Sequence, residues 1–152
     1  MEWAWRAEAV AHGNDRNVGA RVIQLTSGAD LSYDVYCEER YTDAAGRSIA
    51  FIRKPRGRPV ELWVGVLERR LVARADESII GHPASNIYRD SLFYVHVDGR
   101  RRTLRRLNLA TLERDDAFDL GPCPVHPSPV GTISPDERHW VSNYRVRDEI
   151  YG

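Results

Sequence analysis

Hydrophobic and polar residues alternate with a period of two along several short stretches of the chain. The clearest examples are ELWVGV at 61–66 and LFYVHV at 92–97. Successive side chains of a β-strand point to opposite faces of the sheet, so this alternation predicts strands. A helical repeat would instead need runs with a 3.6-residue period. We therefore expect little helix.

The predicted strands recur at a nearly constant distance. Phe51 and Tyr94 lie 43 positions apart, Val64 and Leu107 have the same spacing, and Tyr94 and Val141 lie 47 apart. The copies open with an Asp-containing turn, seen as TDAAGRS at 42–48, YRDS at 88–91 and SPDERH at 134–139. Asp-Gly at 98–99 is a two-residue hairpin signal. A period of roughly 40 to 50 residues with four short antiparallel strands is typical of a β-propeller blade.

The sequence thus predicts an all-β fold, an incomplete β-propeller of about three four-stranded antiparallel blades. The expected segments are an N-terminal extension at 1–19, a strand at 20–28, blades at about 33–75 and about 78–121, and a partial blade at about 128–152. Propellers close with typically about 4 to 8 blades. We therefore expect part of a longer protein, the alternative being a complete domain that closes its ring as an oligomer. Open blade edges favour self-association, and Trp3 and Trp5 are expected either to cover such an edge or to be disordered.

Charge and composition narrow the function. The 22 basic and 22 acidic residues give a net charge of zero, so we expect neither a nucleic-acid partner nor an anionic membrane. No apolar stretch approaches the roughly 20 residues of a membrane helix. Glu2 and Arg6 interrupt any secretory signal, and Cys37 and Cys123 lie outside metal-binding spacing. These features favour a cytoplasmic protein.

Few residues suggest chemistry. The five histidines are not paired at metal-ligand spacing, so no metal site is expected within the chain. His82 and His126 fall in predicted loops, where propellers bind ligands. Arg40, predicted near the start of an inner strand, is placed either to pair with a substrate carboxylate or with Glu38 or Glu39. These three residues are the substrate-binding candidates; no catalytic residue is assigned.

Other features have simpler explanations. The arginines at 100–102, 105 and 106 favour a solvated turn over a polyanion site. His96 and His139 alternate within predicted strands, which favours structural positions. Phosphate-binding loops, nucleophile elbows and zinc-protease motifs are absent from the sequence, which removes the commonest enzyme classes.

A family resemblance spans about 20–146. SPDERHWVS at 134–142 resembles the SPDG-plus-strand motif of TolB-like propellers. The order of four segments is similar to the N-terminal part of oligogalacturonate lyases: VIQLTSG at 22–28, VYCEERYTDAAGRSIAF at 35–51, LFYVHVDGRRRTLRRLNLATLE at 92–113 and VGTISPDERHWVS at 130–142. The resemblance implies a seven-bladed parent protein.

The family's chemistry is a β-elimination on pectin-derived oligouronides. A base removes the proton on the carbon α to the uronate carboxylate, and a divalent cation, typically manganese, binds that carboxylate. The family's metal ligands are His and Gln residues in the C-terminal half, so the resemblance implies no turnover by this chain alone. The family also tends to have a His just before the strand that matches Tyr36, where this chain has Ser32, Tyr33 and Asp34.

Three interpretations remain open from the sequence. The chain is part of an oligogalacturonate lyase-like enzyme, or a non-catalytic TolB-like propeller that binds a protein or glycan, or a truncated remnant without activity. A His-rich blade face in a longer reading frame would favour the first over the second. Failure to form a soluble, cooperatively folding species would favour the third.

Overall fold

A computed structural model describes residues 2–36, 38–121 and 131–143. Twelve strands are found in these ranges, and every pair of adjacent strands in them is antiparallel. In chain order they are Val10–Asn14 (β1), Arg21–Gln24 (β2), Leu31–Tyr33 (β3), Ser48–Lys54 (β4), Glu61–Val66 (β5), Leu71–Glu77 (β6), Ile79–Asn86 (β7), Ser91–Asp98 (β8), Arg101–Asn108 (β9), Arg114–Asp119 (β10), Gly131–Ile133 (β11) and Trp140–Ser142 (β12).

The strands form two four-stranded meanders and two hairpins. The first blade has the order β3-β4-β5-β6, and the second blade has the order β7-β8-β9-β10. The pairs β1-β2 and β11-β12 form separate two-stranded sheets. The expected all-β fold with antiparallel blades is confirmed, and the described residues contain no helix that could cross a membrane.

The main hydrophobic core lies between the two blades. It joins Ile52 and Leu62 of the first blade to Leu92, Tyr94 and Leu107 of the second. On the other face of the second blade, a smaller cluster is built from Phe93, Val95, Leu104 and Leu120 and is covered in part by Ile133 and Trp140. Neighbouring residues of β8 thus enter different cores, because alternate side chains leave opposite faces of a strand. Side chains on both faces of β8 are therefore buried, which explains the apolar run of this strand.

The first blade also has a face that points away from the second blade. This far face carries Phe51, Trp63 and Val72 as a third buried cluster. Arg53 lies on the same face with its guanidinium 4.0 Å from the Trp63 ring. A blade face of this composition needs a cover, because large apolar side chains are otherwise exposed to water.

The N-terminal segment, residues 2–28, provides that cover. The backbones of Arg6 and Val72 exchange hydrogen bonds of 2.8 and 2.9 Å at the free edge of β6. Glu8 binds the Arg53 guanidinium through contacts of 2.7 and 3.2 Å. Leu25, just after β2, lies over Gly65 of β5, where a β-carbon would come within 3.4 Å of it. The segment expected as an extension at 1–19 and a strand at 20–28 thus contains a hairpin and packs on the first blade.

Strand positions can be compared with the expected segments. The first blade runs from 31 to 77 and the second from 79 to 119, where the sequence predicts about 33–75 and about 78–121. Of the partial blade expected at about 128–152, the described residues include β11 and β12. Trp3 packs against the core between the blades and stacks on Trp5, with ring centroids 5.5 Å apart.

Candidate ligand-binding site

The first strand of the second blade lies beside the hairpin that follows it. β11 contacts β7, and the connection that follows β3 runs along β7 through a series of hydrogen bonds. In a propeller, the first strand of each meander corresponds to the inner strand of a blade, next to the central channel. This is where a ligand in the central channel would be bound.

A bulge in β7 places His82 beside Tyr36. The pairing of β7 with β8 shifts between Ile80 and Ala84, and Gly81 has φ of +70°, a conformation that glycine adopts without strain. The rings of His82 and Tyr36 are 5.1 Å apart and tilted by 55°. The sequence predicts His82 in a loop; the structure instead places it within β7, because the bulge interrupts the alternation without ending the strand.

The imidazole of His82 is oriented by the backbone of the first blade. Its Nδ1 lies 3.3 Å from the carbonyl oxygen of Val35. A carbonyl oxygen only accepts, so this contact requires the proton on Nδ1, and Nε2 is then an acceptor in the neutral ring. The pair thus offers a hydrogen-bond acceptor on His82 and a phenol on Tyr36, both half-buried. Such groups suit a ligand hydroxyl.

Arg40 has a different position and a different role. It lies on the connection between β3 and β4, rather than near the start of an inner strand as the sequence predicts. Its guanidinium donates to the Ile87 carbonyl at 3.1 Å and to the Asp90 carboxylate at 3.5 Å. In the described residues Arg40 thus pairs with Asp90, and not with Glu38 or Glu39. Glu39 accepts hydrogen bonds from the backbone and the hydroxyl of Ser85. Arg40 fastens the first blade to the second.

Two of the three candidates lie in the described residues, and they occupy different places. His82 lies in the bulge of β7, whereas Arg40 is bound beyond the end of that strand at Ile87. His126 lies outside the described residues. In the described residues, no group of three or more His, Cys, Asp or Glu side chains could hold a metal ion. The donor set that manganese would need is thus not found in this part of the chain.

A buried ionic cluster that the sequence does not reveal lies between the blades. Asp76, 7% exposed, accepts a hydrogen bond from the Tyr94 hydroxyl at 2.8 Å and from Arg105 Nη1 at 2.8 Å. Arg114 and His96 lie 3.3 and 3.5 Å from its other oxygen. Burial, together with the charge and hydrogen bond of Asp76, raises the pKa of Tyr94 far above its ordinary value.

The arginine-rich stretch therefore serves the interior as well as the surface. Arg101 pairs with the exposed Asp119 in the expected manner. Arg105 instead reaches Asp76 and Asp116, and Arg106 reaches Asp115 and Glu137. The expectation of a solvated turn is wrong for Arg105 and Arg106. Basic residues of β9 lie directly opposite acidic residues of β10. This complementary charge pattern is the sequence signal that could have shown these ion pairs.

Comparison with known proteins gives structural neighbours only. No protein-family profile matches the sequence, and no curated protein matches it significantly. An oligogalacturonate lyase from Vibrio parahaemolyticus aligns with a TM-score of 0.59 and 14% identity, over 90% of this chain and 36% of its own. The chain has the fold of a partial β-propeller.

Two further solved structures support this assignment. An oligogalacturonate lyase in complex with manganese aligns with a TM-score of 0.52 and 21% identity, over 86% of this chain and 33% of its own. TolB from Acinetobacter baumannii aligns with a TM-score of 0.52 and 17% identity, over 90% and 32%. The partial propeller spans about a third of the length of each neighbour. The likeness therefore concerns the fold, and residues 31–142 supply two blades and a hairpin of it.

Proposed function

We propose that the chain is the N-terminal part of an oligogalacturonate lyase-like propeller whose parent protein acts on pectin-derived oligouronides. Two of the solved structures that it resembles are oligogalacturonate lyases, aligned over 86–90% of this chain. This alignment carries the proposal. The order of sequence motifs across 20–146 supports the same lineage.

The proposed reaction is a β-elimination. A base removes the proton from C5 of a uronate residue, the bond from C4 to the glycosidic oxygen breaks, and a double bond forms between C4 and C5. The leaving oxygen takes up a proton. In this scheme His82 and Tyr36 bind a sugar hydroxyl at the channel face, and Arg40 keeps the two blades that carry them together.

We expect no turnover by this chain alone. The reaction needs a positive charge at the uronate carboxylate, and the described residues do not bring together a donor set for a divalent metal. Arg40 is unsuited to replace the metal, since Asp90 already compensates its charge. The chain thus contributes to binding, and the reactive centre belongs to other parts of the parent protein.

The test is to incubate the chain with trigalacturonate and manganese. Absorbance of the 4,5-unsaturated product should stay flat, while calorimetry should detect weak, saturable binding of trigalacturonate. His82→Ala should abolish this binding, and the matched control His12→Ala, at an exposed position of β1, should leave it unchanged. A chelator-sensitive rise in absorbance would show that the chain completes a reactive site and would contradict the proposed division of roles. Absence of binding would contradict the assignment of His82.

A second candidate function is supported by the likeness to TolB. In this alternative the propeller is non-catalytic and binds a protein or another glycan. The missing His before Tyr36 and the lack of a metal-ligand group in the described residues favour it. The two proposals differ in their ligand, because the alternative requires no affinity for trigalacturonate.

A further inference from the structure

A cleft lies at the outer part of the second blade, away from the inner strands. It has a volume of about 720 Å³ and lies between Trp3 of the N-terminal segment and the turn that joins β9 to β10. Pockets of about 300 to 1,000 Å³ hold small-molecule ligands, typically with an apolar floor and a few polar groups. This cleft has both.

The apolar side chains that line the cleft are supported by the hydrophobic core between the blades. Trp3 and Leu112 are half-buried and pack against the core between the blades. The Trp3 indole stacks on Trp5 at an interplanar angle of 23°. Because the ring is supported on its neighbour and on the core, it offers a fixed flat surface. Aromatic faces of this kind suit the C–H face of a sugar ring.

The turn on the other side of the cleft is held by internal hydrogen bonds. Asn108 Oδ1 accepts hydrogen bonds from the backbones of Ala110 and Thr111, each at 2.9 Å. Leu112 donates its backbone N–H to the Asn108 carbonyl at 2.8 Å and adopts φ of +63°. Left-handed backbone is costly for leucine and is found preferentially at ligand sites. The backbone of the turn is thus held by hydrogen bonds within the turn.

Two of these side chains retain unused polar atoms. In the described residues, Oε1 of Glu113 and the Nε and Nη2 atoms of Arg114 have no hydrogen-bond partner, although Glu113 Oε2 accepts from Thr111. Arg114 is anchored through Nη1, which donates to the Ala75 carbonyl and lies 3.3 Å from Asp76. Both residues line the cleft, which therefore contains a carboxylate acceptor and a guanidinium donor. Adjacent hydroxyls, which both donate and accept, match such a pair.

The charge of the lining selects against an acidic ligand. Arg106 and Arg114 are balanced by Glu113 and Asp115, and Arg106 is already bound by Asp115 at 2.9 and 3.0 Å. The unpaired oxygen of Glu113 would repel a carboxylate. We propose that this cleft between Trp3 and the β9–β10 turn is a binding site for an uncharged saccharide. The site is separate from the His82 region and does not depend on the function proposed above.

The test uses isothermal titration of the chain with cellobiose and with β-1,4-galactobiose, and with digalacturonate as the acidic counterpart. At least one neutral disaccharide should bind with a dissociation constant on the order of 1 mM, which corresponds to a binding free energy of about −4 kcal/mol. Glu113→Ala and Trp3→Ala should each weaken that binding by about tenfold, or about 1.4 kcal/mol. Glu68→Ala, at an exposed turn of the first blade, should leave the affinity unchanged.

Several outcomes would overturn the inference. These are no saturable binding of either neutral disaccharide, unchanged affinity in both variants, or binding of digalacturonate that Glu113→Ala weakens. Because Trp3 also packs against the core, its variant is compared by urea unfolding, and Glu113→Ala, at an exposed position, carries the test if Trp3→Ala fails to fold. His82→Ala should leave the binding of the neutral disaccharide unchanged. This result would distinguish the cleft from the site proposed for trigalacturonate.

Discussion

Aspartates at the start of the three repeats stabilise turns in different ways. Asp43 is buried, and its Oδ1 accepts from the backbones of Arg47 and Ser48 at 2.6 and 2.9 Å. Asp136 accepts from Ser134 and from the backbone of Arg138 within its own turn. Asp90 instead reaches across to the first blade and accepts from the backbone of Ala44 at 2.7 Å. The recurring Asp therefore stabilises its own turn at Asp43 and Asp136. At Asp90 it also connects the second blade to the first.

Asp43→Asn should destabilise the protein in a pH-dependent manner. Burial favours the neutral carboxyl, but hydrogen bonds from Ser48 and Arg47 outweigh it, and the pKa of Asp43 is lowered from 3.8. A lowered pKa gives stability that is present above the ordinary value and lost as pH falls through the folded-state value. The loss on substitution should be about 1–3 kcal/mol at pH 7.

Urea unfolding of both proteins between pH 7 and pH 3 measures this effect. The difference in unfolding free energy should shrink towards the acid end, because the wild-type carboxyl then becomes protonated. Asp98→Asn, on the exposed β8–β9 turn, serves as the control and should change little. A difference between wild type and Asp43→Asn that stays constant with pH would contradict the assignment.

Tyr94→Phe should remove one hydrogen bond from the Asp76 cluster without creating a large cavity. The buried hydroxyl donates to Asp76 Oδ2 at 2.8 Å, so we expect a loss of about 1–2 kcal/mol in the free energy of unfolding. Chemical denaturation measures it against Tyr88→Phe, whose side chain is 74% exposed. Equal effects of the two substitutions would show that the cluster adds nothing to stability.

Among the larger elements, the N-terminal segment acts as a cover for the first blade. Its backbone extends the free edge of β6 at Val72, and Arg6 lies 5.3 Å from the Trp63 ring. Edge strands invite pairing with other chains unless they are covered. The segment thus protects both the edge and the far face of this blade.

Glu8→Ala should loosen this cover. The Arg53 side chain is only 5% exposed, and removing its carboxylate partner leaves a buried charge uncompensated, which costs about 3–5 kcal/mol. Thermal and urea unfolding should show the loss, and proteolysis should cut the N-terminal segment sooner. Glu2→Ala, at an exposed position, should have little effect. An unchanged unfolding midpoint in Glu8→Ala would mean that the packing of Arg53 on Trp63 is sufficient.

Local patterns predict the strands well but not their long-range partners. The alternation in ELWVGV and the Asp98-Gly99 turn determine β5 and the β8–β9 hairpin, because both signals act over a few residues. The pairing of Arg6 with Val72 joins residues far apart in sequence and has no local signal. The contact of His82 with Tyr36 depends on a bulge in β7, which shifts one side chain without changing the composition. The sequence therefore pointed to His82, but neither to Tyr36 as its neighbour nor to the geometry of the site.

At the scale of the whole molecule, the far side of the second blade remains open in the described residues. Phe118 and Val141 are each 64% exposed there, beside a cleft of about 600 Å³ that Phe93 and Trp140 help to line. Exposed apolar patches of this kind mark interfaces. The self-association that the sequence leads us to expect stays a prediction, and the exposed side chains of this face are where it can be tested.

Phe118→Ser should then reduce association without lowering stability. Sedimentation velocity over a range of concentrations should show dimers of the wild-type chain and a shift of the variant towards monomer. Val18→Ser, which changes a side chain that is 78% exposed on the β1–β2 hairpin, is the matched control. A wild-type chain that stays monomeric at every concentration would contradict this prediction.

The cover of the first blade also has a consequence for synthesis. Residues 2–28 precede the blade that they protect, so they leave the ribosome before β4, β5 and β6 are made. Each blade is itself a meander of strands that follow one another in the chain, and domains assemble from the N-terminus during translation. The segment that covers the apolar far face is therefore already synthesised when that face forms, before the second blade is translated.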